Sequence, residues 1–168
     1  MTVAHTSDTF EAFYRSEVVS LATLAAALTG SRDSGADLAQ EALLRAYRSW
    51  PTISGYERPG AWTRRVVLNL ATDARRRRTR ERAALSRVPT DSSTTMPDPV
   101  DDPFWEAVCD LPERQQHTVV LRYVDDLSID EIAGVLDVTS GTVKAALFAA
   151  RNTLARRLNT EEVGDVHD

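Results

Sequence analysis

The segment that most constrains this chain is a serine followed three residues later by a glutamate. Ser128 and Glu131 form the capping-box pattern, in which each side chain satisfies a backbone N–H left free at a helix start. Leu127, Ile132, Ala133 and Leu136 supply a helical apolar stripe. Asp137 and Val138 interrupt it, and Thr139 or Ser140 can cap a second helix. There Val143, Leu147, Ala150, Leu154 and Leu158 fall on one face, at the helical period of about 3.6 residues. The opposite face opens with Ser140, Thr142 and Lys144, all short or cationic donors. A helix presenting such groups at its N-terminal end, braced by a short capped helix, suits a DNA major groove. An ordinary αα-hairpin would show the same apolar pattern.

Further helices account for the rest of the chain. Asp8 or Thr9 can cap a first helix burying Phe10, Phe13, Tyr14, Val18, Leu21, Leu24 and Leu28, with Gly30 ending it. A second is expected from about Ser34, burying Leu38, Leu43, Ala46, Tyr47 and Trp50, with Pro51 as its stop. Residues 52–60 form a loop rich in breakers, and Pro59 sits where a helix-initiating proline belongs. A third helix carries Trp62, Val66, Leu70 and Ala74 four residues apart, so the three can close one small core. Residues 89–103 differ in character: four prolines, four aspartates and several hydroxyl residues, with almost nothing to bury. That composition is of an extended, solvated linker. Short helices over 104–109 and 112–124 then lead into the capped segment. The expected class is all-α: two small helical domains, 8–87 and 104–160, joined by a flexible acidic and proline-rich linker at 88–103. An acidic tail follows at 161–168.

A hydrophobic content of 42% permits real cores, so global disorder is not expected. One cysteine, Cys109, excludes a disulfide framework or a thiolate zinc site and fits a reducing cytoplasm. The N-terminus lacks a charged-then-apolar signal pattern, and no apolar run is long enough to insert into a membrane. The net charge of −5 conceals segregation. Residues 61–87 hold nine arginines against Asp73 and Glu81, whereas 88–113 hold seven acids and no base. Local patches, not the mean, set duplex binding. Arg64, Arg65 and the run Arg75 to Arg78 can neutralise phosphates. Asn69 stands as an amide within an apolar stripe and so needs a partner. No P-loop, zinc-spaced Cys/His set or G-x-S-x-G is present, and His5, His117 and His167 are scattered. The pairs Asp125–Asp126 and Glu161–Glu162 look like caps or tails. An enzyme is not expected, and catalytic residues, cofactor and metal are assigned to none.

LPERQ, then LSIDEIAGVLDVTSGTVK, then AARNTLARRL resembles region 4 of bacterial sigma factors, the domain that reads the promoter −35 element. ADLAQEALLRAYRSW resembles region 2.2, and PGAWTRRVVLNLATDARRRR resembles region 2.3 running into 2.4. Two such domains with a short linker resemble the extracytoplasmic-function (ECF) group of the sigma-70 family. That resemblance implies a cytoplasmic subunit of RNA polymerase, recruiting core enzyme through the β′ clamp coiled coil and the β flap. Promoter DNA is the second implied partner, and an anti-sigma factor a third. Asp37, Gln40 and Glu41, on one helix face, stand at the positions of the D-L-x-Q-E motif that docks on β′, extended by Arg45 and Arg48. For the −10 element the resemblance points to Tyr56 and Arg58 in the loop that captures an unstacked base, with Arg65, Asn69, Arg75, Arg76 and Arg77 on the helix after it. For −35 it points to Arg122, Ser140, Thr142, Lys144 and Arg151. Related sequences often carry arginines where this chain has Ala146 and Ala149, so fewer direct −35 contacts are expected here. The competing expectation is a dimeric helix-turn-helix regulator that is not a polymerase subunit.

Overall fold

The structure, a computed structural model, describes residues 3–85 and 102–164. All but the last two residues of the expected linker therefore lie outside the described residues. Seven helices run in order: α1 (Val3–Thr29), α2 (Arg32–Ile53), α3 (Pro59–Leu85), α4 (Pro103–Cys109), α5 (Glu113–Tyr123), α6 (Ile129–Leu136) and α7 (Ser140–Gly164). No strand occurs among the described residues, so the all-α expectation holds.

The first three helices pack as one unit, with differences from the sequence reading that have physical causes. α1 begins before the expected cap, and the Thr9 hydroxyl instead accepts a hydrogen bond from Trp50 Nε1 at 3.1 Å. Gly30, at φ +69°, ends α1 in a conformation that side chains with a Cβ rarely adopt. α2 starts two residues earlier than expected, capped by Ser31, which accepts from the Ser34 N–H. Gly35 lets α2 close on α1 backbone to backbone, for a Cβ there would lie 2.4 Å from the Ala26 nitrogen. Pro51 does not stop α2. The helix continues through Ile53, which is 1% exposed beside Ala46 and Trp50, and this burial holds the last turn in place. Tyr47, expected inside, is exposed, with its edge against Phe10. α3 does start at Pro59, but its buried face is Thr63, Val67, Leu68 and Ala71. Trp62, Val66, Leu70 and Ala74 are only half-buried, so the true stripe is rotated by one position.

The second half follows its sequence signals more closely. Asp102 caps α4 by accepting from the Phe104 N–H. Both bonds of the capping box form at α6: Ser128 Oγ accepts from the Glu131 N–H at 3.2 Å, and Glu131 accepts from the Ser128 N–H at 2.8 Å. Asp137, left-handed at φ 55°, terminates α6, and the Thr139 hydroxyl caps α7 by accepting from the Thr142 N–H. Val143, Leu147, Ala150 and Leu154 are buried as the periodicity requires.

Both halves share one core. Leu21, Leu24 and Leu28 of α1 and Val67 and Leu68 of α3 belong to the same buried cluster as Val108, Leu111, Val119, Leu121 and Ile132. Burying one such side chain stabilises by about 1.5–3 kcal/mol. The helices on either side of residues 86–101 are therefore packed on each other as well as within themselves.

Candidate nucleic-acid and partner interface

α6 and α7 meet at 103° across a three-residue turn, within the range of a helix-turn-helix. At the start of α7 the Ser140 hydroxyl donates to Asp130, and the Thr142 and Thr139 hydroxyls share a hydrogen bond of 2.9 Å. Lys144 is exposed one turn further on. Arg151 is exposed too, with its guanidinium donating to the Tyr123 hydroxyl at 2.7 Å. Arg122 instead donates to the Leu127 carbonyl at 2.8 Å, bracing the turn before α6. Phe148 is 70% exposed, outside the core. Ala146 is buried at 8% exposure and Ala149 is half-buried, so the Ala146 methyl is not part of the outer face.

On α2, Asp37, Gln40 and Arg45 are exposed and Glu41 is half-buried. Glu41 accepts from Arg45 Nε at 2.8 Å, an (i, i+4) pair that holds both heads on the outer face. Exposed Leu44 and Tyr47 lie beside them. The strip is thus partly apolar, with charges at its margin.

The basic helix α3 is divided between solvent and the second half of the chain. Tyr56, Arg58, Arg65, Asn69, Arg76 and Arg77 are exposed. Asn69 is therefore not a buried amide in want of a partner. It lines, with Arg65, Arg114 and His117, a 170 Å³ cleft between α3 and α5–α6. Arg58 reaches Glu131 at 4.0 Å and Arg76 reaches Glu113 at 3.4 Å, both exposed pairs. Arg75 is half-buried, donating to the Leu111 carbonyl at 3.0 Å. Arg75, Arg76 and Arg80 line a groove of about 690 Å³ with Glu113 on its far bank.

Arg64 departs most from expectation. Its side chain is 13% exposed, donating to Glu17 at 2.7 Å and through Nε to Asp125, whose side chain is 3% exposed. Burial opposes the Arg64 charge, but the hydrogen bond and charge of Asp125, with Glu17 behind it, outweigh burial and raise its pKa. Arg64 is thus not presented to phosphate in this arrangement. Nor is Asp125 a cap; it receives α1 and α3 together, since the Ser20 hydroxyl also donates to it. His117 is 8% exposed beside Thr72, with a ring nitrogen 3.3 Å from the threonine hydroxyl. Burial lowers its pKa to about 4; Glu113 opposes and Arg75 reinforces the shift. Neither role, of Asp125 or of His117, is signalled locally in the sequence, because their partners lie 61 and 45 residues away. His5 and His167 have no described side chain.

The Sigma-70 region 2 model matches residues 13–81 and the Sigma-70, region 4 model matches residues 101–154. RNA polymerase sigma-E factor of Streptomyces coelicolor is 31% identical over 173 aligned positions, covering 91% of this chain and 93% of that protein. RNA polymerase sigma-E factor of Streptomyces avermitilis is 30% identical, covering 92% and 87%. A solved structure of the sigma factor RpoE in complex with the anti-sigma factor NepR, from Bartonella quintana, shares the fold with a TM-score of 0.71. It is 22% identical, over 90% of this chain and 97% of that one.

Proposed function

The chain belongs to the ECF group of the sigma-70 family and is an RNA polymerase sigma factor, and from that premise we propose which of its surfaces does what. Residues 8–87 act as the region 2 domain and 104–160 as the region 4 domain, with 88–103 the connecting linker and 161–168 an acidic tail. Asp37, Gln40, Glu41 and Arg45 dock on the β′ clamp coiled coil of core polymerase, and region 4 contacts the β flap. An outer face with an apolar centre and charged margin suits such a partner, since charge sets register and on-rate while Leu44 and Tyr47 supply area. Tyr56, Arg58, Arg65, Asn69, Arg75, Arg76 and Arg77 hold and melt the −10 element. Capture of a flipped base by the 54–58 loop offsets part of the unstacking cost of a few kcal/mol. Ser140, Thr142 and Lys144 read −35, with Arg151 and Arg122 at its edge. Sigma factors are initiation factors; the catalysis belongs to core polymerase.

The observation that carries this reading is the 103° meeting of α6 and α7, with donors grouped at the start of α7. A dimeric regulator has no use for a second, unlike domain matching region 2, so that alternative is not retained. We place the protein in the cytoplasm with its polymerase; no single described helix is long and apolar enough to cross a membrane. An anti-sigma factor is a further proposed partner, because the Bartonella structure of the same fold holds one. The test replaces Asp37, Gln40 and Glu41 together by alanine and measures core binding alongside helical circular dichroism. Weakened binding by a folded variant is the expected result, and unchanged affinity overturns the assignment of α2.

A further inference from the structure

A helix that enters a duplex is seated by cations at its edges, and α7 is sparing with them. Lys144 is exposed one turn into the helix, and the next cation is Arg151, with only alanines, Leu147 and Phe148 between. Lys144, Phe148 and Arg151 follow at i, i+4 and i+7 on the exposed face, opposite buried Val143, Leu147, Ala150 and Leu154. At about 1.5 Å of rise per residue, Arg151 stands roughly 10 Å along the axis from Lys144. A major groove is about 12 Å wide. With the first turns of α7 at the base edges, a side chain two turns further on comes to the groove wall, where the phosphates are.

Arg151 is held at that place by the last residue of α5. The Tyr123 phenolic oxygen accepts from Arg151 Nε at 3.2 Å and from Nη2 at 2.7 Å. Tyr123 is 51% exposed, so the pair lies at the surface and outside the core. Its neighbour Arg122 is half-buried and donates to the Leu127 carbonyl, so the group that α5 offers to the outer face of α7 is Tyr123. A guanidinium carries five N–H donors in a rigid fork. Two are engaged by Tyr123, and both of Nη1 and one of Nη2 remain. The two lone pairs of the phenol are occupied by these bonds, and its own O–H is still a donor. A carboxylate in place of the phenol would have cancelled the arginine's charge. The phenol fixes the guanidinium and leaves that charge intact, which reduces the side-chain entropy still to be lost on binding.

We propose that Tyr123 and Arg151 form a phosphate clamp at the edge of the −35 contact: Arg151 supplies the charge, and Tyr123 positions its guanidinium and donates its own O–H to the same phosphate. The inference rests on the assignment of α7 to the −35 duplex. Phosphate contacts carry no sequence information but fix the register and orientation of whatever reads the bases. With no cation between Lys144 and Arg151, this clamp sets how α7 is seated while Lys144 and its neighbours meet base edges.

The test is a double-mutant cycle on the full chain, with binding to a short random-sequence duplex followed by fluorescence anisotropy over a range of salt concentrations. Such a duplex suffices because phosphate contacts are independent of sequence. Contacts made elsewhere on the chain are common to every member of the cycle and cancel. Arg151→Ala should lower the slope of log affinity against log salt by about 0.9. Tyr123→Phe keeps the ring and removes the hydroxyl, and should weaken binding by about three- to tenfold at fixed salt with circular dichroism unchanged. In the Arg151→Ala background the same change should cost less than about twofold, because the hydroxyl acts together with the guanidinium. Equal losses in the two backgrounds overturn the clamp and leave the −35 assignment standing. So does a Tyr123→Phe chain that binds as the unaltered one while Arg151→Ala lowers the slope. An unchanged slope for Arg151→Ala overturns the clamp together with the placement of Arg151 at −35.

Discussion

His117 provides a sharp energetic test of the packed arrangement. Its ring is 8% exposed between α5 and α3, and burial holds its pKa at about 4. In the unfolded chain it titrates near the ordinary value of about 6.5. The folded state thus binds fewer protons between those values, so stability rises with pH there and is lost as pH falls. A difference of about 2.5 units at about 1.36 kcal/mol per unit bounds the effect near 3 kcal/mol, of which about 2 kcal/mol is lost between pH 7.5 and pH 5. Carboxylates titrate in the same direction at lower pH, so the comparison must be with a variant. His117→Gln retains a group able to meet the Thr72 hydroxyl and removes the titration. Urea unfolding of both proteins at pH 7.5 and pH 5, followed by circular dichroism, should show the unaltered chain losing about 2 kcal/mol more than the variant. Equal losses, or a His117 ring titrating near 6.5 by NMR, would refute burial of this group and with it the fit of α5 on α3.

Other consequences are independent of that one. Ser128→Ala removes the capping-box bond made by the serine hydroxyl while keeping the one donated by the residue's backbone N–H, and should cost about 1 kcal/mol, seen as a melting point lower by about 3 °C. Replacing exposed Arg65, Arg76 and Arg77 by alanine should lower the slope of log affinity against log salt by about 2 to 3, with little change in stability. Leu121→Ala, at a fully buried position, should destabilise by about 2–5 kcal/mol in the same unfolding assay. Lys144→Ala should weaken binding to a cognate −35 duplex by about 1–3 kcal/mol more than binding to a scrambled one, in a competition assay at fixed salt, as expected of a group that meets a base edge.

Sequence legibility followed the range of the interactions. Local chemistry was readable: the capping box at Ser128 and Glu131, Gly30 as a stop, Pro59 as a start, and the face from Val143 to Leu154 all took the expected form. Pro51 misled because a proline in the last turn disrupts little when Ile53 beyond it is buried. The α3 stripe misled for a different reason. With alanines, valines and leucines at many positions, two adjacent faces are nearly equally apolar, and the choice between them belongs to whatever packs there. Packing from the second half then made Arg64 an interior residue and Asp125 its counter-ion. Neither role has a sequence period, since the pair is separated by 61 residues. Asn69, an amide within the expected stripe, is exposed because the buried face lies one position round from it.

The central claim, that one chain couples core polymerase to two promoter elements, is tested most directly by transcription from a library of randomised upstream sequences. Core polymerase with and without the purified chain would be compared by sequencing transcript starts. The account predicts starts that depend on the chain and share two motifs at fixed spacing, with the downstream motif lost on replacing Asn69 and the upstream one on replacing Lys144. Absence of chain-dependent starts, or enrichment of a single palindromic site bound without polymerase, would contradict it.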